Sequence, residues 1–473
     1  MPEGFTERIK KDLGDEADSF LGAFFDAPKR GFRINTLKTD GRTEREIAGG
    51  LERIPWEEHG YYYGTSLQDA YASTPGRMPM HSAGAYYIQE PSAMAPVTFL
   101  DVRPDMCVLD LCAAPGGKST QAASYLAGKG LLIANEPVRD RARILSQNIE
   151  RMGIRNALVL SHDPDELVPR FPASFDRILV DAPCSGEGMF RRDETAVNEW
   201  SPENVVMCAK RQERILEAAA VMLKPGGRLV YSTCTFSDEE NEEQVRRFLE
   251  RHGDYRMAAV SPCTGMRAGQ GMVRIWPQDG FGEGHFMAVL EREGSLLPGA
   301  YGYSGVKEKP LNNRQIQETA PYREFIPDVI KNGAFKSDIS DSSDLFMFGS
   351  SLCAMPEGGL PCLSGLKVIR AGLELGSIRK GRFMPSHALA LAMKPEDAVS
   401  VLELPPEGDE AGRYLRGETI NAVPDLFSAK EKPARGSGWT LVSLSGISLG
   451  WGKISNGILK NHYPKGLRVN TAY

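Results

Sequence analysis

The chain has no Cys-x-x-Cys pair, and its eight cysteines (Cys107, Cys112, Cys184, Cys208, Cys234, Cys263, Cys353 and Cys362) are scattered without a close histidine partner. This spacing argues against a disulfide framework and a structural zinc site, so no metal is expected. No apolar run reaches the roughly 18 residues that span a membrane. Residues 1–18 are dense in charge and lack the apolar core of a signal peptide. A reducing, cytoplasmic location with free thiols and no membrane partner is the expectation. Internal repeats and low-complexity tracts are also missing. Acidic residues barely exceed basic ones, 62 against 56 for a net charge of −6, which argues mildly against a nucleic-acid partner on average. At 473 residues the chain is too long for one typical domain. Its 41% hydrophobic and 25% charged residues are ordinary globular values. Nothing suggests more than a monomer.

From 106 to about 293, short apolar runs alternate with amphipathic stretches, the pattern of a parallel sheet with helices on both faces. Predicted strands fall at 107–111, 131–135, 157–160, 177–180, 228–232 and 286–290. Predicted helices fall at 119–127, 139–151 and 202–223, the last stopped by Pro225-Gly226-Gly227. Ser237 followed by Glu240 predicts a capping box that opens a helix through Phe248. Residues 1–104 read as an N-terminal α/β appendage, helical at 5–25 and strand-like at 31–37, that serves as a lid or substrate-binding region. Residues 294–344, rich in Gly, Pro, Ser, Asn and Asp, read as a linker with one short helix. Residues 345–473 carry short β-like pieces at 346–348, 365–369, 373–378, 399–402, 439–444 and 447–453, which predicts one small β domain.

Two segments carry most of the chemistry: Phe175-Asp-Arg-Ile-Leu-Val-Asp-Ala-Pro-Cys-Ser-Gly186 and Leu229-Val-Tyr-Ser-Thr-Cys-Thr235. Each is an aliphatic run ending in a thiol. That pattern predicts strands delivering Asp181, Cys184 and Cys234 to the carboxyl edge of the sheet, where open α/β sheets bind ligands. Upstream, Val108-Leu-Asp-Leu-Cys-Ala-Ala-Pro-Gly-Gly-Lys-Ser-Thr120 follows the first strand and opens a helix. Its glycines let backbone N–H groups approach a ligand, and the helix N-terminus favours an anion. A Walker A loop would need glycine where Cys112 stands, and a G-x-G-x-x-G loop is broken because Lys118 follows Gly116 and Gly117. S-adenosylmethionine fits better, held by Cys112, Ala113, Ala114, Pro115, Gly116, Gly117 and Lys118. Glu136 after the second strand would take the ribose hydroxyls, and Asp163 after the third the adenine amino group. The thiols select among methyl transfers, because N- and O-methylation need none. A thiolate adding to C6 of a pyrimidine makes C5 nucleophilic; a base then removes the C5 proton and the thiol leaves. An acid near N3 or O2 stabilises the adduct, and Asp181 could supply it if burial raised its pKa. The residues leave open which thiol attacks.

Basic side chains cluster as Lys29, Arg30, Arg33 and Lys38, and again from Gly452 to Tyr473, where Lys453, Lys460, Lys465 and Arg468 interleave with Asn461 and Tyr463 without an acid. Such mixtures suit phosphates and stacked bases.

The 175–186 segment resembles the signature of the Sun (Fmu) family of RNA cytosine-C5 methyltransferases. Ala113-Ala-Pro-Gly-Gly-Lys118 and Ser232-Thr-Cys-Thr235 resemble its cofactor loop and second cysteine motif, in the right order. Gly31-Phe-Arg-Ile-Asn-Thr-Leu-Lys38 resembles the basic segment that precedes the catalytic domain. Leu449-Gly-Trp-Gly-Lys453 and Leu459-Lys-Asn-His-Tyr-Pro-Lys-Gly-Leu-Arg468 are similar to the RsmF-like branch, bacterial ribosomal RNA enzymes with a PUA-like C-terminal domain. The resemblance implies an α/β fold: a Rossmann-like class I methyltransferase sheet at 105–293 and a PUA-like RNA-binding domain at 345–473. It implies that Cys234 attacks C6 and Cys184 assists proton removal and release. Lys118 would contact the cofactor or substrate cleft, Asp181 would serve both cofactor and base, and Arg33, Asn35 and Lys38 would meet RNA. The implied partner is ribosomal RNA of the small subunit. On this reading, removing 345–473 leaves a soluble fragment that binds cofactor normally and methylates poorly. The competing readings are an assembly factor without turnover and a P-loop NTPase.

Overall fold

The computed structural model of the protein describes residues 1–64, 74–296, 302–331, 344–421 and 438–469. The apolar run around Phe32 and the tyrosines that follow form three short strands, β1 (Arg30–Ile34), β2 (Gly60–Tyr63) and β3 (Tyr86–Ile88), paired antiparallel in the order β2-β1-β3. Ahead of them, the single helix expected at 5–25 is two, Glu3–Leu13 and Ala17–Ala23, separated by a 3₁₀ turn at Gly14–Glu16. Phe5 and Phe20 pack with Phe190, Trp200 and Phe236, which seats the N-terminal region on the segment following Cys234.

Five apolar runs build the parallel core: β4 (Cys107–Asp110), β5 (Leu131–Asn135), β6 (Ala157–Leu160), β7 (Phe175–Asp181) and β8 (Leu223–Thr233). Strands β4 to β6 are buried at every position, as a sheet covered on both faces requires. The covering helices include Gly117–Leu126, Arg139–Arg151 and Pro202–Met222, close to the predicted bounds. Pro225-Gly226-Gly227 is drawn into the start of β8. Antiparallel strands β9 (Tyr255–Met257), β10 (Arg267–Gly269), β11 (Met272–Ile275) and β12 (His285–Arg292) extend one side, giving the order β10-β11-β12-β8-β7-β4-β5-β6 with β9 on β12. Strand β4 has β5 on one side and β7 on the other, so the chain winds outward in both directions from it. The crevice beyond the carboxyl ends of β4 and β7 is where such a sheet takes a ligand.

The helix after β8 begins at Glu242 behind Asn241. The expected capping box at Ser237 is absent: Ser237 Oγ donates to Glu239, and Glu240 turns into the core. Nor is the described part of 294–344 a loose linker. Asn312 and Gln315 form a capping box on the helix Asn313–Glu318, and a second helix, Ala320–Val329, buries Tyr322, Phe325 and Val329. Residues 297–301 and 332–343 of that stretch, and 470–473 of the basic tail, lie outside the described residues.

Downstream, the single β domain expected at 345–473 is two sheets. Strands β13 (Leu345–Phe348), β14 (Ser351–Ala354), β15 (Val368–Ala371), β16 (Leu373–Arg379) and β17 (Arg382–Pro385) come first. Of these, β15 leaves the group and pairs antiparallel with β6, adding an edge to the central sheet. The others form a four-stranded sheet. Strands β18 (Val401–Leu404), β19 (Ile420–Asn421), β20 (Gly438–Leu444), β21 (Ile447–Ser455) and β22 (Ile458–Asn461) form the last, in the order β18-β20-β21-β22-β19. Gly153 shows how closely these parts approach: it lies at φ +70, and a Cβ there would meet the Leu391 carbonyl at 2.6 Å. No helix among the described residues is long and apolar enough to cross a membrane.

Candidate active site

The loop after β4 is sewn to both neighbouring strands, Leu111 N–H donating to the Leu179 carbonyl at 3.0 Å and Ala113 N–H to that of Asn135 at 2.8 Å. Gly116 caps the following helix at φ +116, and a Cβ there would meet Leu145 at 3.1 Å, so the tight approach needs glycine. Ahead of the loop, Asp110 is buried; Ser119 donates to its Oδ2 at 2.6 Å and its Oδ1 has no partner among the described residues. Burial pushes its carboxyl up to about 7. At the end of β5, Glu136 is buried, accepts from Val138 N–H at 3.0 Å and pairs with Arg141 at 3.4 Å. Asp163, after β6, is exposed and makes no capping bond to the short helix it precedes. A glycine cradle at a helix N-terminus, an unpartnered acceptor beside it and acids after successive strands are the donor set S-adenosylmethionine needs. The half-buried Cys112 lies in this loop, its thiol pushed up by burial.

Asp181 closes β7 at the centre of the crevice. Lys118 Nζ donates to its Oδ2 at 2.8 Å, Ser232 Oγ to its Oδ1 at 2.9 Å, and His285 Nε2 stands 3.5 Å from Oδ1. Burial works to raise this carboxyl, but the Lys118 charge and the His285 contact outweigh it and hold it well below the usual range. The condition under which Asp181 could donate a proton to the base is therefore not met: despite burial, its carboxyl is held down and not raised.

The thiols meet. Cys184 follows β7, Cys234 follows β8, and their sulfurs lie 3.4 Å apart, both residues half-buried. The contact with Cys234, then burial, pushes the Cys184 thiol well up. Glu240 holds this arrangement: its carboxylate accepts from Ser185 N–H at 3.0 Å, Ser185 Oγ at 2.5 Å and Gln212 Nε2 at 2.8 Å. Gln212 Nε2 also donates to the Pro183 carbonyl at 3.0 Å, so Cys184 is clamped from both sides. Glu187 accepts from Arg8 and from the Trp200 indole, and Phe236 N–H donates to it at 2.9 Å. Sequence reasoning missed Asp110, His285 and Glu240. Asp110 had a signal in its strand-end position; Glu240 was assigned to a helix cap.

The expected N-terminal RNA contacts are corrected as well. Arg33 is 1% exposed and donates to Thr120 Oγ1 at 2.9 Å, with longer bonds to the Gly117 carbonyl and Ser124 Oγ. Asn35 is fully buried and donates to the carbonyls of Gly84 and Met152. Lys38 turns to the Ser448 carbonyl at 3.1 Å. Arg33 and Asn35 thus bind the N-terminal region to its neighbours instead of facing solvent, and Lys38 is half-buried against the last sheet. Lys453 and Lys460 are exposed and opposite one another on β21 and β22, the Lys453 ammonium 5.7 Å over the Trp439 ring. Lys465 is exposed, whereas Arg468 is half-buried beside the Tyr463 carbonyl. Among the described residues, no group of acidic, His and Cys side chains could hold a metal.

Comparison with known proteins matches four family models in chain order: the N-terminal domain of 16S rRNA methyltransferase RsmF at 1–91, 16S rRNA methyltransferase RsmB/F at 97–291, the first C-terminal domain of RsmF rRNA methyltransferase at 330–393, and the methyltransferase RsmF PUA domain at 401–469. The chain is 31% identical to ribosomal RNA small subunit methyltransferase F of Vibrio vulnificus, over 99% of this chain and 97% of that one. It is 32% identical to the protein so named in Aeromonas salmonicida, with the same coverage. The solved structure of a methyltransferase homolog from Pyrococcus horikoshii superposes with a TM-score of 0.54 at 29% identity, covering 62% of this chain and 96% of that one.

Proposed function

The chain belongs to the 16S rRNA methyltransferase RsmB/F family, with S-adenosylmethionine as methyl donor, and from that premise we propose that it methylates carbon 5 of a cytosine through a covalent bond between Cys234 and C6. The observation that carries this reading is the pair of sulfurs 3.4 Å apart at the ends of adjacent strands, beside the cofactor loop. Methyl transfer to nitrogen or oxygen has no use for two thiols there.

Bound at the 112–118 loop, with Glu136 and Asp163 toward its ribose and adenine, S-adenosylmethionine supplies an electrophilic methyl group. The chain supplies the rest. Contact with Cys234 and burial push the Cys184 thiol up and so make it the poorer thiolate, which supports Cys234 as the group that gives its proton to solvent and adds to C6. Addition sends negative charge into the ring toward N3 and O2. Asp181, being ionised, accepts a hydrogen bond from the base rather than donating a proton, and Lys118 beside it provides the compensating positive charge. Once Cys234 is bonded to carbon, the contact that kept the proton on Cys184 is gone. C5 then takes the methyl group, the demethylated thioether being left in the cofactor cleft; Cys184 loses its proton to solvent and takes the one on C5, and the C6–S bond breaks to return Cys234 as thiolate and restore the ring. Lys453, Lys460, Lys465 and Arg468 are proposed to hold RNA phosphates. The protein is taken to work as a monomer in the cytoplasm.

The test is a pair of substitutions with labelled methyl donor and 16S rRNA. Cys234→Ala should abolish methyl transfer and retain cofactor binding. Cys184→Ala should accumulate a protein–RNA adduct visible as a slowly migrating band. An adduct with Cys234→Ala and none with Cys184→Ala would invert the roles; methylated product lacking 5-methylcytosine would end the C5 reading.

A further inference from the structure

A second concave site, away from the thiols, lies on the seam between three parts of the chain. Its cavity of about 260 Å³ is lined by His81 from the N-terminal region, Asn148 and Arg151 from the helix Arg139–Arg151, His387 from the helix His387–Ala392, and Tyr463. That is below the roughly 300–1,000 Å³ of drug-sized pockets, so it suits a small group.

The electrostatics of the seam are one-sided. Arg151 donates to the carbonyls of His81 at 2.9 Å and Tyr86 at 3.2 Å and to Asn148 Oδ1 at 3.1 Å, and it lies over the Tyr87 ring. None of these is a carboxylate, and the acidic groups that face it are the phenols of Tyr86, Tyr87 and Tyr463. Lys38 donates only to the Ser448 carbonyl, and burial with the Arg151 charge pushes it down to about 7. His81 is pushed down to about 3 by burial and Arg151, and His387 equally by burial and Lys38. His387 Nδ1 has no hydrogen-bond partner among the described residues. The one carboxylate on the lining, Glu150, is taken by Arg370. One cation and two imidazoles thus line the cavity, with the Lys38 ammonium close behind them, and the carboxylate on the lining is already paired. These groups are half-buried, where an uncompensated positive charge still costs free energy, and an anion in the cavity would lower that cost.

We propose that this seam cavity is an anion site that takes a phosphate group, with Arg151 and His387 on its wall and Lys38 behind them. The phosphate comes from the backbone of the bound RNA or from a free phosphate-bearing molecule. Asn148 favours the first source, because its side chain also donates to the Pro115 carbonyl of the cofactor loop at 2.9 Å, which puts the cavity on the flank of the catalytic crevice. Only that arm rests on the substrate reading above.

Titration of the full chain with inorganic phosphate, against chloride at matched ionic strength, tests the site. Saturable binding by calorimetry, with a rise in melting temperature, is expected for the natural protein. Arg151→Met should weaken it at least tenfold. Because Arg151 also ties three oxygens, Lys38→Met and His387→Phe serve as second variants; each should weaken phosphate binding several-fold with S-adenosylmethionine affinity unchanged. No phosphate effect beyond that of chloride in the natural protein overturns the proposal, as does undiminished phosphate binding in all three variants. The sources separate on RNA. If the slope of RNA affinity against salt falls by up to about one unit in Lys38→Met, with RNA affinity lowered in His387→Phe, the ligand is an RNA phosphate. If phosphate binding is lost with the RNA slope unchanged, the ligand is a free phosphate compound. Methyl transfer measured alongside shows separately whether the C5 reading stands.

Discussion

Glu240 carries a buried carboxyl that accepts three hydrogen bonds around Cys184, and burial, which those bonds only partly offset, pushes it up to about 7. Because the folded-state pKa lies above the unfolded one, folding binds a proton here. The stability this contributes is complete below the unfolded value of about 4.3 and is lost as pH rises through about 7. Glu240→Gln keeps an acceptor oxygen and removes the ionisation. Its melting temperature relative to the natural protein should therefore rise between about pH 5 and about pH 8. Thermal melts at the two pH values check this, and a gap independent of pH would falsify it. Glu240→Ala, which strands the Ser185 and Gln212 donors, should destabilise by about 1–3 kcal/mol at either pH. At this scale the placement of Asp181, Cys184 and Cys234 was readable because short apolar runs deliver them to strand ends, and that of Lys118 because the glycine pair before it opens a helix. The charge state of Asp181 was not readable, since it depends on Lys118 and His285, 63 and 104 positions away, meeting at one carboxylate.

Among the elements, the helix Gly117–Leu126 is held from behind. Arg33 on β1 donates to Gly117, Thr120 and Ser124, so the first turn of the cofactor helix is fixed by the N-terminal region. Arg33→Ala removes these donors and leaves a void, which should cost about 2–4 kcal/mol of stability. S-adenosylmethionine affinity should fall with it, and melting and calorimetric titration measure both; unchanged cofactor affinity would show that the clamp serves folding alone. On the last sheet, Lys453→Ala with Lys460→Ala should lower the salt slope of RNA affinity by about two units with the melting temperature unmoved. An unchanged slope would remove these two lysines from the RNA-binding surface. The parallel strands were readable because each is a continuous apolar run. In 294–344 one short helix was expected and two are present, Asn313–Glu318 and Ala320–Val329; their packing was not readable, because a polar sequence with Pro321 and Pro327 looks like a linker until Leu345 and Trp451 supply its partners. Strand β15 overlaps the β piece expected at 365–369, but its partner was hidden, being the β6 edge some two hundred residues earlier.

For the whole molecule, the modules share their cores. Phe346, Cys353, Leu360 and Ala371 bury in the same cluster as Leu158, Leu160 and Phe171 of the central domain. Phe32, Ile34 and Tyr86 of the N-terminal sheet share another with Leu402, Tyr414, Val442 and Leu449 of the last sheet. These shared clusters argue against the expectation that removing 345–473 leaves a soluble fragment with normal cofactor binding. A chain ending at residue 293 loses β15, which leaves β6 as an unpaired edge, and it exposes apolar surface on both the central and the N-terminal sheets. Such a fragment should aggregate, or melt well below the full chain, and should bind S-adenosylmethionine poorly because the sheet that carries Glu136 is no longer supported from β6. Lowering the salt should not rescue its methyl transfer, since the deficit is one of folding rather than of lost phosphate contacts. The full chain, conversely, should unfold in one cooperative urea transition seen alike by tryptophan fluorescence and by cofactor release. A soluble 1–293 fragment with full cofactor affinity, or a separate early transition for the C-terminal sheets, would show that the shared clusters are docking contacts and not a common core.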